Sequence, residues 1–134
     1  MNYKISVCMA TYNGSQFILK QIQSILVQLR EYDELIISDD GSSDGTIEII
    51  QGIKDHRIKL IHHEFKGKKP KVCASSFFAT SNFENALKSV SGDFIFFSDQ
   101  DDIWASDKVV KTIKLLKKNP DNVVISILNV IDKN

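Results

Sequence analysis

The stretch Phe94-Ile95-Phe96-Phe97-Ser98-Asp99-Gln100-Asp101-Asp102 runs from four apolar residues into three carboxylates within four positions. A short, unbroken apolar run predicts a strand, Phe94–Phe97, buried on both faces and therefore central in a parallel sheet. Carboxylates crowded at its end repel one another unless a cation joins them. A hard divalent ion, Mg²⁺ or Mn²⁺, suits that place, because it takes oxygen ligands and shares them with phosphates. Asp99 and Asp101 are the candidate metal ligands. The competing interpretation is a solvated acidic turn ahead of a helix that begins near Asp107. A lone Asp-x-Asp is a weak signal. One placed after a core strand and followed by Asp102-Ile103-Trp104 is stronger.

Working outward, strand-like and helix-like segments alternate along the chain. Ile5–Ala10 reads as a buried strand, and Asn13-Gly14 as a turn. Apolar residues from Gln16 to Leu29 fall at helical spacing, with Ser15 as the expected N-cap. Leu35–Ile37 is a second strand, Thr46–Ile53 a short helix and Ile58–Ile61 a third strand. A basic loop, Lys66 to Lys71, precedes a helix from Ser75 to Val90. That helix should turn Phe83, Ala86, Leu87 and Val90 inward and place Gly92 near its C′ position. A helix from Asp107 to Lys118, with Val109, Val110, Ile113 and Leu116 inward, ends at Asn119-Pro120. Val123–Leu128 is a last strand.

This alternation predicts a three-layer α/β/α domain with a mainly parallel sheet. Ligands of such sheets bind beyond the carboxyl ends of the strands. Thr11-Tyr12-Asn13, Asp39-Asp40 and Asp99 to Asp102 each follow a predicted strand, so all three should share one edge. Asp39-Asp40-Gly41-Ser42 offers a carboxylate that can accept the imide N–H of uracil or thymine. The same residues also favour a plain turn, and both uses are compatible. Backbone N–H groups around Ala10-Thr11-Tyr12-Asn13-Gly14 open a helix and can face a ligand. The Lys66–Lys71 loop suits a diphosphate or plain solvent. His62-His63 reads as structural or solvent-facing. Trp104 suits either a sugar pocket or a wedge between helix and sheet.

The 134 residues fit one domain, 1–134, with a real core. Lys plus Arg and Asp plus Glu each number 17, so no net field recruits nucleic acid or an acidic membrane. No apolar run approaches the roughly 20 residues that span a bilayer. Met1-Asn2-Tyr3-Lys4 leads straight into a strand, unlike a signal peptide. The expected location is cytoplasmic, with peripheral attachment at the inner face of the cell membrane left open. Cys8 and Cys73 have no Cys-x-x-Cys partner and read as reduced thiols.

The set Ala10-Thr11-Tyr12-Asn13-Gly14, Ser38-Asp39-Asp40-Gly41-Ser42-Ser43-Asp44-Gly45-Thr46 and Phe97-Ser98-Asp99-Gln100-Asp101-Asp102-Ile103-Trp104 resembles the family 2 glycosyltransferases of the GT-A fold. Ser-Asp-Gln-Asp-Asp-Ile-Trp is especially similar to the bacterial rhamnosyltransferase-like branch, which builds cell-surface polysaccharide. The resemblance implies an inverting, metal-dependent transfer of sugar from a UDP- or dTDP-sugar to a saccharide or lipid-linked acceptor. It implies nucleotide-sugar contacts at Ala10, Thr11, Tyr12, Asp39, Asp40, Asp99 and Gln100, with Asp40 on the pyrimidine. It also implies Mg²⁺ or Mn²⁺ on Asp101 and Asp99, Asp101 being the more direct ligand.

Family members usually continue well past this point and carry an acidic general base there. No base is identified in this chain, which is expected to be the N-terminal, donor-binding part of a longer enzyme or a naturally short product. The alternative function is a nucleotide-sugar-binding module without catalysis. A phosphoacceptor receiver domain is disfavoured, because the first strand ends in Thr11-Tyr12-Asn13 and the third in His62-His63. A dinucleotide-binding oxidoreductase is disfavoured by the lack of GxGxxG after the first strand.

Overall fold

A computed structural model describes residues 2–67 and 74–125, in which strands and helices alternate. The strands are β1 (Ile5–Thr11), β2 (Glu34–Asp39), β3 (Ile58–His62) and β4 (Phe94–Ser98). The helices are α1 (Ile18–Leu26), α2 (Thr46–Gly52), α3 (Ala74–Leu87) and α4 (Lys108–Lys118). Every strand pairing is parallel, in the order β3-β2-β1-β4.

Alternation along β1 sets the layers. Ile5, Val7 and Met9 join Leu35 and Ile37 against Ile18, Ile22 and Ile25 of α1, Ile50 of α2, and Val109 and Ile113 of α4. Cys8 belongs to the opposite face, where it meets Ile36, Ile61 and, from α3, Phe83 and Ala86. The predicted three-layer architecture is therefore present. Truncating a fully buried residue such as Ile22 to alanine costs about 2–5 kcal/mol in cores of this kind. Cys8 is unpaired and buried. Burial, helped by the charge of Glu34, pushes its thiol up to about 11, which leaves it an inert core residue. Cys73 lies outside the described residues. No helix among the described residues is long and apolar enough to cross a membrane.

The structure corrects several local expectations. α1 begins at Ile18 rather than Gln16, because the Gly14 carbonyl accepts the N–H groups of both Phe17 (3.0 Å) and Ile18 (2.9 Å) in a separate opening turn. Ser15 is not the cap, and its N–H donates to Asp44 Oδ2 at 3.0 Å instead. α3 stops at Leu87, so Gly92 is not a C′ residue. Gly92 lies against β1, where a Cβ would come within 2.6 Å of the Ser6 nitrogen. Leu87 and Val110, expected inside, are 39% and 72% exposed.

Nor is β4 central among the described residues. It pairs only with β1, and Ile95 and Phe97 are 40% and 54% exposed while Phe96 is buried. An all-apolar run therefore arises here from one packed face and one open face. Val123–Ile125 form no strand; the remainder of the expected last strand, to Leu128, lies outside the described residues. So does Lys68–Lys71 of the basic loop.

Candidate functional site

The register brings the strand ends together. Thr11 lies opposite Asp39, Asp39 opposite His62, and Met9 opposite Ser98. A cavity of about 510 Å³ opens beyond this carboxyl edge, within the usual size range of small-molecule sites. Ala10, Thr11 and Tyr12 line it from β1, Asp40 from β2, and Asp99, Gln100 and Asp101 from the acidic loop after β4. Ser75, Phe78, Ala79, Asn82 and Phe83 line it from α3. Seven of the eight residues singled out in the sequence thus meet at one place. Asp39 does not line the cavity.

Asp39 is 1% exposed and holds the loop after β2. Its carboxylate accepts hydrogen bonds from the Thr11 hydroxyl (2.8 Å), from the N–H groups of Gly41 (3.0 Å) and Ser42 (2.8 Å), and from the Ser42 hydroxyl. Gly41 and Gly45 take φ of 82° and 92° there, as a turn of this shape requires. The loop is laced to the residues after β1. The N–H groups of Asn13, Gly14 and Ser15 donate to Ser42 Oγ, Thr46 Oγ1 and Asp44 Oδ2, each at 2.9–3.0 Å. Tyr12 N–H donates to Gln100 Oε1 at 2.9 Å, and Gln100 Nε2 donates back to the Tyr12 carbonyl at 3.0 Å. The expectation that these N–H groups face a ligand is therefore corrected. Each is bonded to the protein, and the glutamine between the two aspartates clasps the first loop.

Asp40 has a different environment. His63 Nδ1 stands 2.9 Å from Asp40 Oδ1, and His63 Nε2 stands 3.1 Å from the Ser81 hydroxyl on α3. A carboxylate only accepts, so Nδ1 is the donor to Asp40, while Nε2 shares the second bond with the Ser81 hydroxyl. Asp40 Oδ2 has no hydrogen-bond partner among the described residues. His63, read in the sequence as structural or solvent-facing, is the residue that orients this carboxylate. Further along α3, Asn82 Nδ2 donates to the Thr11 carbonyl at 3.2 Å, and Asn85 Nδ2 to Ser38 Oγ at 2.8 Å. The aromatic wall is braced as well. Phe78 lies edge-on to Phe65 and Phe77, with ring centroids 5.4 and 5.9 Å away, and Phe83 to Phe97 at 5.6 Å.

Asp99 sits at the exposed rim yet is partly desolvated. That desolvation, followed by the charges of Asp102 and Asp101, holds its carboxyl above the usual carboxylate range. Among the described residues no three His, Cys, Asp or Glu side chains are grouped to hold a metal. Trp104 is a wedge and does not line the cavity. It is 6% exposed, its ring centroid lies 5.7 Å from that of Phe96, and its N–H donates to Ser24 Oγ at 3.1 Å.

Comparison with known proteins follows the same lines. The sequence model described as "Glycosyl transferase family 2" matches residues 6–134. The chain is 34% identical over 134 residues to the Escherichia coli "UDP-Glc:alpha-D-GlcNAc-diphosphoundecaprenol beta-1,3-glucosyltransferase WfgD", covering 99% of this chain and 49% of that protein. It is 36% identical over 122 residues to the Shigella flexneri "dTDP-rhamnosyl transferase RfbG", covering 85% and 38%. The chain thus spans about half or less of the curated relatives it matches. Among solved structures, the mannosyltransferase PcManGT of Pyrobaculum calidifontis, in complex with GDP-Man and Mn²⁺, superposes with a TM-score of 0.67 at 24% identity, over 87% of this chain and 33% of that one. A likeness at that identity shows the fold, GT-A.

Proposed function

The chain belongs to glycosyl transferase family 2, and on that premise we propose that it forms the donor-binding domain of an inverting glycosyltransferase. The donor is a UDP- or dTDP-sugar, and the acceptor a saccharide or lipid-linked saccharide in cell-surface polysaccharide synthesis. The names of the relatives support both choices, one using UDP-Glc on a diphosphoundecaprenol-linked sugar and the other dTDP-rhamnose. The enzyme then works at the inner face of the membrane that carries its acceptor, in peripheral contact with it. The observation that carries the proposal is the meeting of Asp40, Asp99 and Asp101 in one cavity with an aromatic wall.

Each residue has a separable task. Asp40, held through Oδ1 by His63, presents Oδ2 to the imide N–H of uracil or thymine. Asp39 and Gln100 keep the two loops in place. Thr11, Tyr12 and Ala10 form the floor under the nucleoside. The diphosphate finds no free N–H group in residues 12–15, so its charge must be met otherwise. The carboxylates at Asp99 and Asp101 fit a divalent ion: both line the cavity, like charges bear on Asp99, and two carboxylates plus phosphate oxygens and water suffice for Mg²⁺ or Mn²⁺. When bound, such an ion neutralises charge on the departing diphosphate. The acceptor hydroxyl attacks the anomeric carbon on the face opposite the diphosphate as the bond from that carbon to the diphosphate oxygen breaks, which inverts that centre; the hydroxyl proton passes to a base other than Asp40, Asp99 and Asp101.

A binding module without transfer of its own is the second proposal. It is favoured by the cavity lining: its carboxylates among the described residues are Asp40, Asp99 and Asp101, and the reading above uses all three on the donor side, leaving none to take the acceptor proton. Calorimetric titration with UDP, dTDP, GDP and ADP, each with Mn²⁺, tests the donor site. We expect the pyrimidine diphosphates to bind at least tenfold more tightly than the purine ones. Equal affinity for all four would remove the role given to Asp40. Incubation with UDP-glucose and a lipid-linked acceptor then separates the two proposals, since only a transferase forms the glycosidic product.

A further inference from the structure

Asn82 is an interior asparagine set in the cavity wall. It is 3% exposed, sits on α3 and lines the cavity. Its amide is oriented by one hydrogen bond, from Nδ2 to the Thr11 carbonyl at 3.2 Å. Only the nitrogen of the amide can donate to a carbonyl, so Oδ1 is fixed as the other atom. Oδ1 is buried and has no hydrogen-bond partner among the described residues. Buried polar atoms are satisfied as a rule, and an orphan in a cavity wall is placed to accept from a bound molecule. The same Thr11 carbonyl also accepts the backbone N–H of Asp40 at 3.0 Å. The Asn82 amide and Asp40 therefore converge on one backbone oxygen.

We propose that Asn82 is a nucleoside-contacting residue, its Oδ1 accepting a hydrogen bond from a ribose hydroxyl of the nucleoside whose base Asp40 reads. This rests on the donor-site proposal above. A diphosphate does not suit the position, because at neutral pH it offers only acceptor oxygens and would face an amide oxygen. The flanking residues Phe78, Ala79 and Phe83 suit a flat, largely apolar group. The imide N–H is already assigned to Asp40, so the 2′- and 3′-hydroxyls of the ribose are the groups of a uridine nucleotide that can supply the donor.

Titration of UDP, 2′-deoxy-UDP and 3′-deoxy-UDP into the 134-residue chain with Mn²⁺, in wild type and in Asn82→Ala, decides the matter. We expect Asn82→Ala to weaken UDP binding about tenfold, and the analogue lacking the donor to lose about as much in wild type. That analogue should lose little more in the variant, a non-additive cycle that a purely structural asparagine does not produce. Coupling with 2′-deoxy-UDP identifies the 2′-hydroxyl; coupling with 3′-deoxy-UDP identifies the 3′-hydroxyl. Losses that add for both analogues overturn the role of Asn82 while leaving the donor site intact. Failure of wild type to bind UDP at all overturns the donor site and this inference together. Unliganded melting temperatures check folding, and Asn82→Leu, of similar volume, replaces the alanine variant if that does not fold.

Discussion

His63 holds Asp40: its Nδ1 lies 2.9 Å from the Asp40 carboxylate, while its Nε2 meets the Ser81 hydroxyl of α3 at 3.1 Å. One imidazole thus ties the loop after β2 to the helix across the cavity. Replacing it leaves Asp40 free to rotate away from a bound base. His63→Phe, which keeps a ring of similar size without the hydrogen bonds, should weaken UDP binding about 3- to 10-fold, equivalent to about 1 kcal/mol. Ser81→Ala should do less, since it removes only the outer bond. Calorimetry on both variants checks the order of the effects. Unchanged affinity in His63→Phe would show that the pairing does not serve binding.

The Gln100 clasp gives a stability prediction. Both atoms of its amide are bonded to the Tyr12 backbone, and a Cβ added at Gly14 would fall on that same amide. Gln100→Ala and Gly14→Ala should each destabilise by about 1–2 kcal/mol in urea denaturation. Because both act on one contact, the double variant should lose less than the sum of the two. Strict additivity would contradict a shared contact.

Glu34 should contribute to acid sensitivity, alongside the lowered carboxylates of Asp33, Asp44 and Asp55. Burial pushes its carboxyl up, but hydrogen bonds from Ser6, Ser91 and Lys4 outweigh that and leave it at about 2, against an ordinary value of 4.5. A depressed folded-state pKa means that the unfolded chain binds more protons between those values. The stabilisation is complete above the ordinary value and is lost as pH falls toward the folded one. Stability measured from pH 6 to pH 2 should therefore decline steeply below pH 4.5. Glu34→Gln should be about 1–3 kcal/mol less stable at pH 7 and show a shallower acid decline. A decline of equal steepness in the variant would assign the acid sensitivity elsewhere.

Much of this site is legible in the sequence, for a definite reason. Once Ile5–Ala10, Leu35–Ile37 and Phe94–Phe97 are read as parallel strands, the residues after each must share an edge, so Thr11, Asp40, Asp99 and Asp101 meet without further information. What strand position does not give is rotation about a helix axis. Ser81, Asn82 and Asn85 face the sheet through hydrogen bonds, whereas an apolar count had turned Leu87 inward. A polar trio at helical spacing beside Phe83 and Ala86 was the available signal. His63 reads as structural or solvent-facing because a histidine after a strand usually is; its role at the site depends on Asp40 lying on the neighbouring strand end. The edge position of β4 was hidden for a related cause, since one packed and one open apolar face look alike in a sequence.

The most direct test is a crystal structure of the chain with UDP and Mn²⁺. The account predicts the ion within about 2.2 Å of a carboxylate oxygen of Asp101, and the uracil imide within hydrogen-bond distance, about 3 Å, of Asp40 Oδ2. A nucleotide bound elsewhere on the surface, with Asp40 and Asp101 both facing solvent, would contradict it.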